Sequence, residues 1–392
     1  MRNIKDEFNL GEKKILLRLD LNVPLNNGKI TDTTRIDKII PTINFLLKNK
    51  AKIIILSHVG RPKGKIINEL SLKPICQNLK KQLNENVRLI TKNLKKINPD
   101  DFFNNQNEKI VMLENLRFYE EEEKNNKEFA KHLASLADIY VNDAFSCSHR
   151  AHASIFEITK FIPTYAGLQL NLEIDALTKI TSEIQKPITC IIGGSKISSK
   201  INIIKNLITK FDNIIIVGGM ANNILKYKGY EIGKSLQEDN CDQIIEEIFL
   251  LSKKENCKII YPEDVTIGKN LNGSPEIREL NNVSKDELIL DIGPKTIKII
   301  NQLIEESNTI LWNGPAGYFE NPNFSKGSTE IAKKIVEKNK NNTIYSVAGG
   351  GDTVSLLNNL GATNNFNFVS TAGGAFLEYL EGKELPGIKA LN

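Results

Sequence analysis

The sequence predicts an α/β protein of two domains, each a mostly parallel sheet flanked by helices. Three observations predict it. Short apolar, β-branched runs alternate with stretches of helical spacing almost throughout, the pattern of strands joined by crossover helices. The chain has 392 residues, more than one ordinary core accommodates. The residues that carry chemistry also follow the strands, and ligands of open α/β sheets sit beyond the carboxyl ends of strands.

In the first half, residues 15–19, 52–56, 109–113 and 138–141 read as strands, and residues 33–48, 72–83 and 124–136 as helices. The first strand runs into Asp20-Leu21-Asn22-Val23-Pro24. The period of two puts Asp20 and Asn22 on one face of the strand end. Arg35 opens the next helix, where a cation opposes the helix dipole and hints at a bound anion. The second strand ends in Ser57-His58-Val59-Gly60-Arg61. The third leads to Glu114-Asn115-Leu116-Arg117, and the fourth to Ser148-His149-Arg150-Ala151-His152. Three of the four histidines and three arginines therefore follow strands. Such a set reads as an oxyanion pocket, since arginine grips carboxylate or phosphate bidentately and histidine adds donors. His149 and His152 are spaced for a metal, but no acidic third ligand stands at a matching interval.

The domain boundary falls near Gly167. Residues 168–184 read as one long helix, stopped by Pro187, that is either an ordinary packing helix or an interdomain hinge. In the second half the strands are residues 188–192, 213–217, 258–261, 287–291, 309–312, 343–347 and 366–369. The first runs into Gly193-Gly194-Ser195-Lys196, with Lys200 four residues on and on the same helical face as Lys196, which suggests a phosphate clamp. Gly218-Gly219 makes another close-approach turn. Asn313-Gly314-Pro315 leads to Glu320, a carboxylate suited to ribose hydroxyls. Gly373-Gly374, after the last strand, opens the terminal helix.

Gly349-Gly350-Gly351-Asp352-Thr353 lies between a strand and a helix. Three glycines there remove every Cβ that would keep a ligand from the backbone and leave free N–H groups at the positive end of a helix, which suits phosphate. Asp352, a carboxylate beside phosphates, suits Mg²⁺. The chain has neither a P-loop nor a dinucleotide fingerprint, and the protein-kinase signatures are absent.

Composition narrows the function classes. Hydrophobic residues make up 40% and charged residues 25%, a globular balance. The net charge of +5 is spread along the chain without a basic arm, so nucleic acid is not an expected partner. No apolar run approaches the roughly 18 residues of a membrane span, and the first residues do not resemble a signal peptide. Five scattered cysteines, Cys76, Cys147, Cys190, Cys241 and Cys257, suit a reducing, cytoplasmic compartment.

About eight of these motifs, in this order and over nearly the whole chain, resemble the phosphoglycerate kinase family. The resemblance implies two Rossmann-like domains facing across a cleft with an interdomain helix as hinge. Residues 1–167 would bind phosphoglycerate, residues 168–380 the nucleotide, and the segment from about 381 to 392 would return to the first domain. It implies that Asp20, Asn22, Arg35, His58, Arg61, Arg117 and Arg150 form the phosphoglycerate pocket. Lys196, Lys200, Gly219, Asn313, Glu320, Gly349, Gly350, Gly351, Asp352 and Thr353 would take ATP or ADP, with Mg²⁺ on Asp352. Arg35, Lys196, Lys200, Gly351 and Gly373 would act on the transferring group. The expected reaction moves a phosphoryl group between 1,3-bisphosphoglycerate and ADP, giving 3-phosphoglycerate and ATP, in an enzyme expected to be a monomer.

Overall fold

The strands exist because their residues are apolar on both faces and need helices on both sides. In the first sheet Ile15, Leu17 and Leu19 bury against one helical layer, while Leu16, Ile54, Val111 and Tyr140 bury in a second core on the opposite face. The structure, a computed structural model, describes residues 1–105 and 107–392. It divides into two units, Met1–Asp175 with Glu384–Asn392, and Ala176–Lys383.

The first unit contains β1 (Lys14–Leu19), β2 (Leu25–Asn26), β3 (Lys29–Ile30), α1 (Thr34–Lys48), β4 (Lys52–Leu56), α2 (Lys73–Leu83), β5 (Val87–Ile90), β6 (Ile110–Leu113), α3 (Glu120–Glu123), α4 (Lys127–Ala134), β7 (Ile139–Asp143), β8 (Thr164–Ala166) and the start of α5 (Leu168–Thr181). Its parallel sheet has the order β5-β6-β4-β1-β7-β8, with Leu17 between Ile55 and Val141. β1 is central, so the loops after β1, β4, β6 and β7 gather at one edge.

The second unit contains β9 (Ile188–Ile192), α6 (Ile201–Ile208), β10 (Asn213–Ile216), α7 (Gly219–Tyr227), α8 (Asp242–Lys254), β11 (Lys258–Ile260), β12 (Asp264–Gly268), β13 (Glu276–Glu279), β14 (Leu288–Ile292), α9 (Pro294–Glu306), β15 (Thr309–Asn313), α10 (Lys326–Lys340), β16 (Tyr345–Gly349), α11 (Gly351–Asn359), β17 (Phe368–Ser370) and α12 (Gly374–Leu380). A last helix, α13 (Pro386–Lys389), belongs to the first unit. The parallel sheet runs β11-β10-β9-β15-β16-β17, and a separate antiparallel sheet runs β13-β12-β14.

Several expectations change. β1 stops at Leu19, so Asp20 and Asn22 lie in the following loop rather than on a strand face. The expected helix over 124–136 is broken. Asn125 takes a left-handed φ of 53°, and Asn126 caps α4 by accepting from the Phe129 N–H at 2.9 Å. The run 287–291 belongs to the antiparallel sheet, whose other strands, like β5, the sequence reading did not mark. α5 ends at Thr181, before Pro187 can act as its stop. The two compact units meet within α5, between Asp175 and Ala176.

Candidate active-site residues in each unit

In the first unit the post-strand loops form a cluster of cations. Arg35, in the first turn of α1, donates to both oxygens of Asp20 at 3.1 and 2.8 Å, and Ser146 Oγ donates to the same carboxylate at 2.6 Å. Asn22 Oδ1 accepts from the Gly60 N–H at 2.9 Å, which ties the loop after β1 to the loop after β4. Arg117 Nη1 donates to the Gly60 carbonyl at 2.9 Å, which brings in the loop after β6. Arg150 Nε donates to His149 Nε2 at 3.2 Å in the loop after β7. Gly60 has a φ of +66°, a left-handed turn that suits glycine. Arg61 follows it with its side chain exposed.

The electrostatics of this cluster are one-sided. Burial, reinforced by Arg18, Arg117, His152 and Arg35, holds the His58 ring well below its ordinary pKa. Burial, with Arg117, Arg18, Arg150 and His149, pushes His152 down to about 3. Both rings are therefore neutral at pH 7. Arg117 Nε and His152 Nδ1 are buried and make no hydrogen bond among the described residues. Converging cations beside two buried, neutral histidines define a place where an anion is stabilised.

In the second unit, Asn313 at the end of β15 is the connecting residue. Its Oδ1 accepts from Lys200 Nζ, and its Nδ2 donates to the Gly349 carbonyl at 2.6 Å. The adjacent Gly314 N–H donates to Thr353 Oγ1 at 2.7 Å, which docks α11 on the same strand end. Burial brings Lys200 down to about 8, against the opposing influence of Cys190 and Asp352. Lys200 and Lys196 do not share a helix face, because α6 begins only at Ile201. Lys196 lies in the preceding loop, exposed.

The three glycines divide by role. A Cβ on Gly349 would meet the Phe376 ring at 2.5 Å, so this glycine serves packing. Gly350 has a φ of +98° and lies against Asn313. Only Gly351 faces open space, at the first position of α11, with Asp352 exposed beside it. Gly373, φ +57° and likewise open, precedes α12. A pocket of about 320 Å³ is lined by Gly219, Leu236, Pro315, Glu320 and Asp352 among others. Its walls are mostly apolar, with carboxylates at Glu320, Asp352 and Asp291.

Arg18, Glu122 and Ser154, which organise the first cluster from within, escaped the sequence reading. So did Asp291, which burial pushes up to about 7 and which accepts from the Gly327 N–H at 2.7 Å. The available signal was a charged residue inside an otherwise apolar strand, as in Leu17-Arg18-Leu19 and Leu290-Asp291-Ile292.

Two α/β units, one carrying a cation cluster and the other glycine turns with a lysine, are the parts of a phosphotransferase. A family model described as phosphoglycerate kinase matches residues 5–383. A phosphoglycerate kinase from Wolbachia sp. subsp. Brugia malayi is 45% identical over 404 residues, covering 100% of this chain and 99% of its own. The structure of phosphoglycerate kinase from Coxiella burnetii superposes with a TM-score of 0.90 at 40% identity, covering 99% of this chain and 98% of that one. That of the Pyrococcus horikoshii phosphoglycerate kinase gives 0.84 at 26% identity, covering 100% and 98%. The chain belongs to the phosphoglycerate kinase family.

Proposed function

We propose that this chain transfers a phosphoryl group reversibly from 1,3-bisphosphoglycerate to ADP, in line, after the two units close on their substrates. The observation that carries the reading is the gathering of Arg35, Arg117 and Arg150 at one sheet edge, beside the buried, neutral rings of His58 and His152. The P–O bond to the substrate carboxylate breaks, a terminal ADP oxygen forms the new bond, and both exchanging oxygens are anionic near neutral pH. No proton has to move, so positioning and charge neutralisation are the work. Residues 1–167 with about 381–392 take the phosphoglycerate side and residues 168–380 the nucleotide side, and the helix between them serves as hinge. Asp20, Asn22, Arg35, His58, Arg61, Arg117 and Arg150 bind phosphoglycerate. Lys200 and Arg35 contact the transferring group, with Lys196 supporting it. The N–H groups at Gly351 and Gly373 complete the phosphate cradle. Gly219, Asn313, Gly349, Gly350 and Thr353 shape the nucleotide site, and Glu320 meets the ribose hydroxyls.

Among the described residues, no group of three or more His, Cys, Asp or Glu is placed to hold a metal ion. Mg²⁺ in nucleotide sites binds through one or two carboxylates plus substrate phosphates. Asp352, exposed on the pocket wall, is the residue that would hold it, and the bound ion would neutralise nucleotide charge. Five scattered cysteines suit a reducing, cytoplasmic compartment, and the monomer rests on the family resemblance alone. No helix among the described residues is long and apolar enough to cross a membrane.

The test is turnover of Mg-ATP with and without 3-phosphoglycerate, coupling 1,3-bisphosphoglycerate to NADH oxidation. Turnover that requires both supports the reading, and turnover only with another carboxylate overturns the assignment of the first unit. Arg61→Ala is expected to raise the KM for 3-phosphoglycerate. A rise confined to the KM for ATP would reverse the division of substrates between the units.

A further inference from the structure

Behind the cation cluster of the first unit runs a buried polar line. Glu122, in α3, is fully buried; it accepts from the Ser154 N–H at 2.9 Å and from Ser154 Oγ at 2.6 Å. The single hydroxyl proton of Ser154 is thereby committed to Glu122, and its oxygen accepts from Arg18 Nε at 3.0 Å. Arg18, also fully buried and in the central strand β1, turns Nη2 to His58 Nδ1 at 3.1 Å. Arg18 Nη1 donates to the Leu19 carbonyl, which fixes the guanidinium plane. A guanidinium only donates, so His58 Nδ1 must be the acceptor. The neutral ring then carries its hydrogen on Nε2.

We infer that Glu122, Ser154 and Arg18 are positioning residues that lock His58 as the neutral Nε2–H tautomer, a fixed donor for an oxyanion of the phosphoglycerate substrate. The inference rests on the assignment of His58 to that substrate. Each part has a physical reason. A buried arginine needs a counter-charge, and Glu122 supplies it across one hydroxyl rather than by direct contact. The spacing leaves Arg18 free to hold the ring instead of closing on the carboxylate. A neutral donor suits this site, because its charge is already supplied by Arg35, Arg117 and Arg150 and a protonated histidine would add to their repulsion.

Two measurements separate the inference from the reading beneath it. In the wild-type enzyme, long-range ¹H–¹⁵N spectra of labelled histidine, with His58 assigned through His58→Gln, are expected to show a neutral Nε2–H ring from pH 6 to 8. A hydrogen on Nδ1, or an imidazolium at pH 7, overturns the inference without any buried substitution. Ser154→Ala removes one hydroxyl and no charge. It is expected to mix the His58 tautomers and to raise the KM for 3-phosphoglycerate about three- to tenfold, the value of one neutral hydrogen bond, leaving the KM for ATP unchanged. An unaltered His58 spectrum in that variant overturns the line through Ser154. An altered spectrum with an unaltered KM supports the positioning and removes His58 from the substrate pocket.

Discussion

Lys200 shows how one residue is made responsive by its surroundings. Burial lowers its pKa to about 8, so it is a cation at pH 7 that loses its proton within the range where the enzyme can be assayed. Lys200→Ala is expected to lower kcat at least about a hundredfold, the value of one transition-state donor, measured in the coupled assay. An unchanged kcat would remove Lys200 from the chemistry. Stability gives an independent check with a definite sign. The folded pKa of about 8 lies below the reference 10.5, so the unfolded chain binds more protons between those values. The burial penalty is present in full below pH 8 and fades as the pH rises towards 10.5. Lys200→Met should therefore be more stable than wild type at pH 7.5, with the gap in urea midpoint narrowing by pH 10. Exposed or half-exposed charges such as Lys200, Arg61 and Asp352 were legible because they follow strands in the sequence. Arg18, Glu122 and Ser154 were not, because nothing in a buried position's spelling tells which polar atoms it will meet.

Elements were legible where both faces are apolar and illegible where a side chain breaks the period. β1, β4, β9 and β15 follow from runs of Ile, Leu and Val. The start of α5 at Leu168 was legible, but the contact that fixes it was not. Gly167 precedes it with ordinary backbone, yet a Cβ there would lie 2.3 Å from Asp143 Cγ. Asp143, at the end of β7, accepts from the Leu170 N–H at 2.8 Å and from Thr42 Oγ1 at 2.5 Å, which joins α5 to α1. Gly167→Ala is expected to cost about 1–3 kcal/mol in denaturant titration, the range for overpacking. A midpoint within error of wild type would mean that Asp143 moves aside freely. Burial raises Asp143 to about 6 from a reference of 3.8, because the ionised form is poorly solvated there. The folded state thus binds the extra proton between those values, and this residue's contribution to stability rises as pH falls from 6 towards 3.8. Asp143→Asn should flatten that part of the profile.

At the scale of the whole molecule the two units have separate cores, and the chain's only tryptophan, Trp312, is fully buried in the second. The last residues, Glu384–Asn392, belong to the first. They are held there by burial of Leu385 and Leu391, and by the Gly387 N–H, which donates to the Ser148 carbonyl at 2.8 Å. Gly387 has no room for a side chain, since a Cβ would stand 2.8 Å from Ser148 Cα and from Ile155. This contact lies beside the loop that carries His149, Arg150 and His152, so the far end of the sequence buttresses the cation cluster. The two leucines together are worth up to about 3–6 kcal/mol by area, an upper estimate. A chain ending at Lys383 should therefore lose stability in the first unit. In guanidinium, its circular dichroism is expected to show an early phase in which Trp312 fluorescence does not change, whereas the full chain lacks that phase. Parallel shifts of both signals would mean that the second unit depends on the segment as much as the first does. An unshifted circular dichroism curve would mean that Leu385 and Leu391 contribute nothing, and that the loop after β7 holds its shape without them.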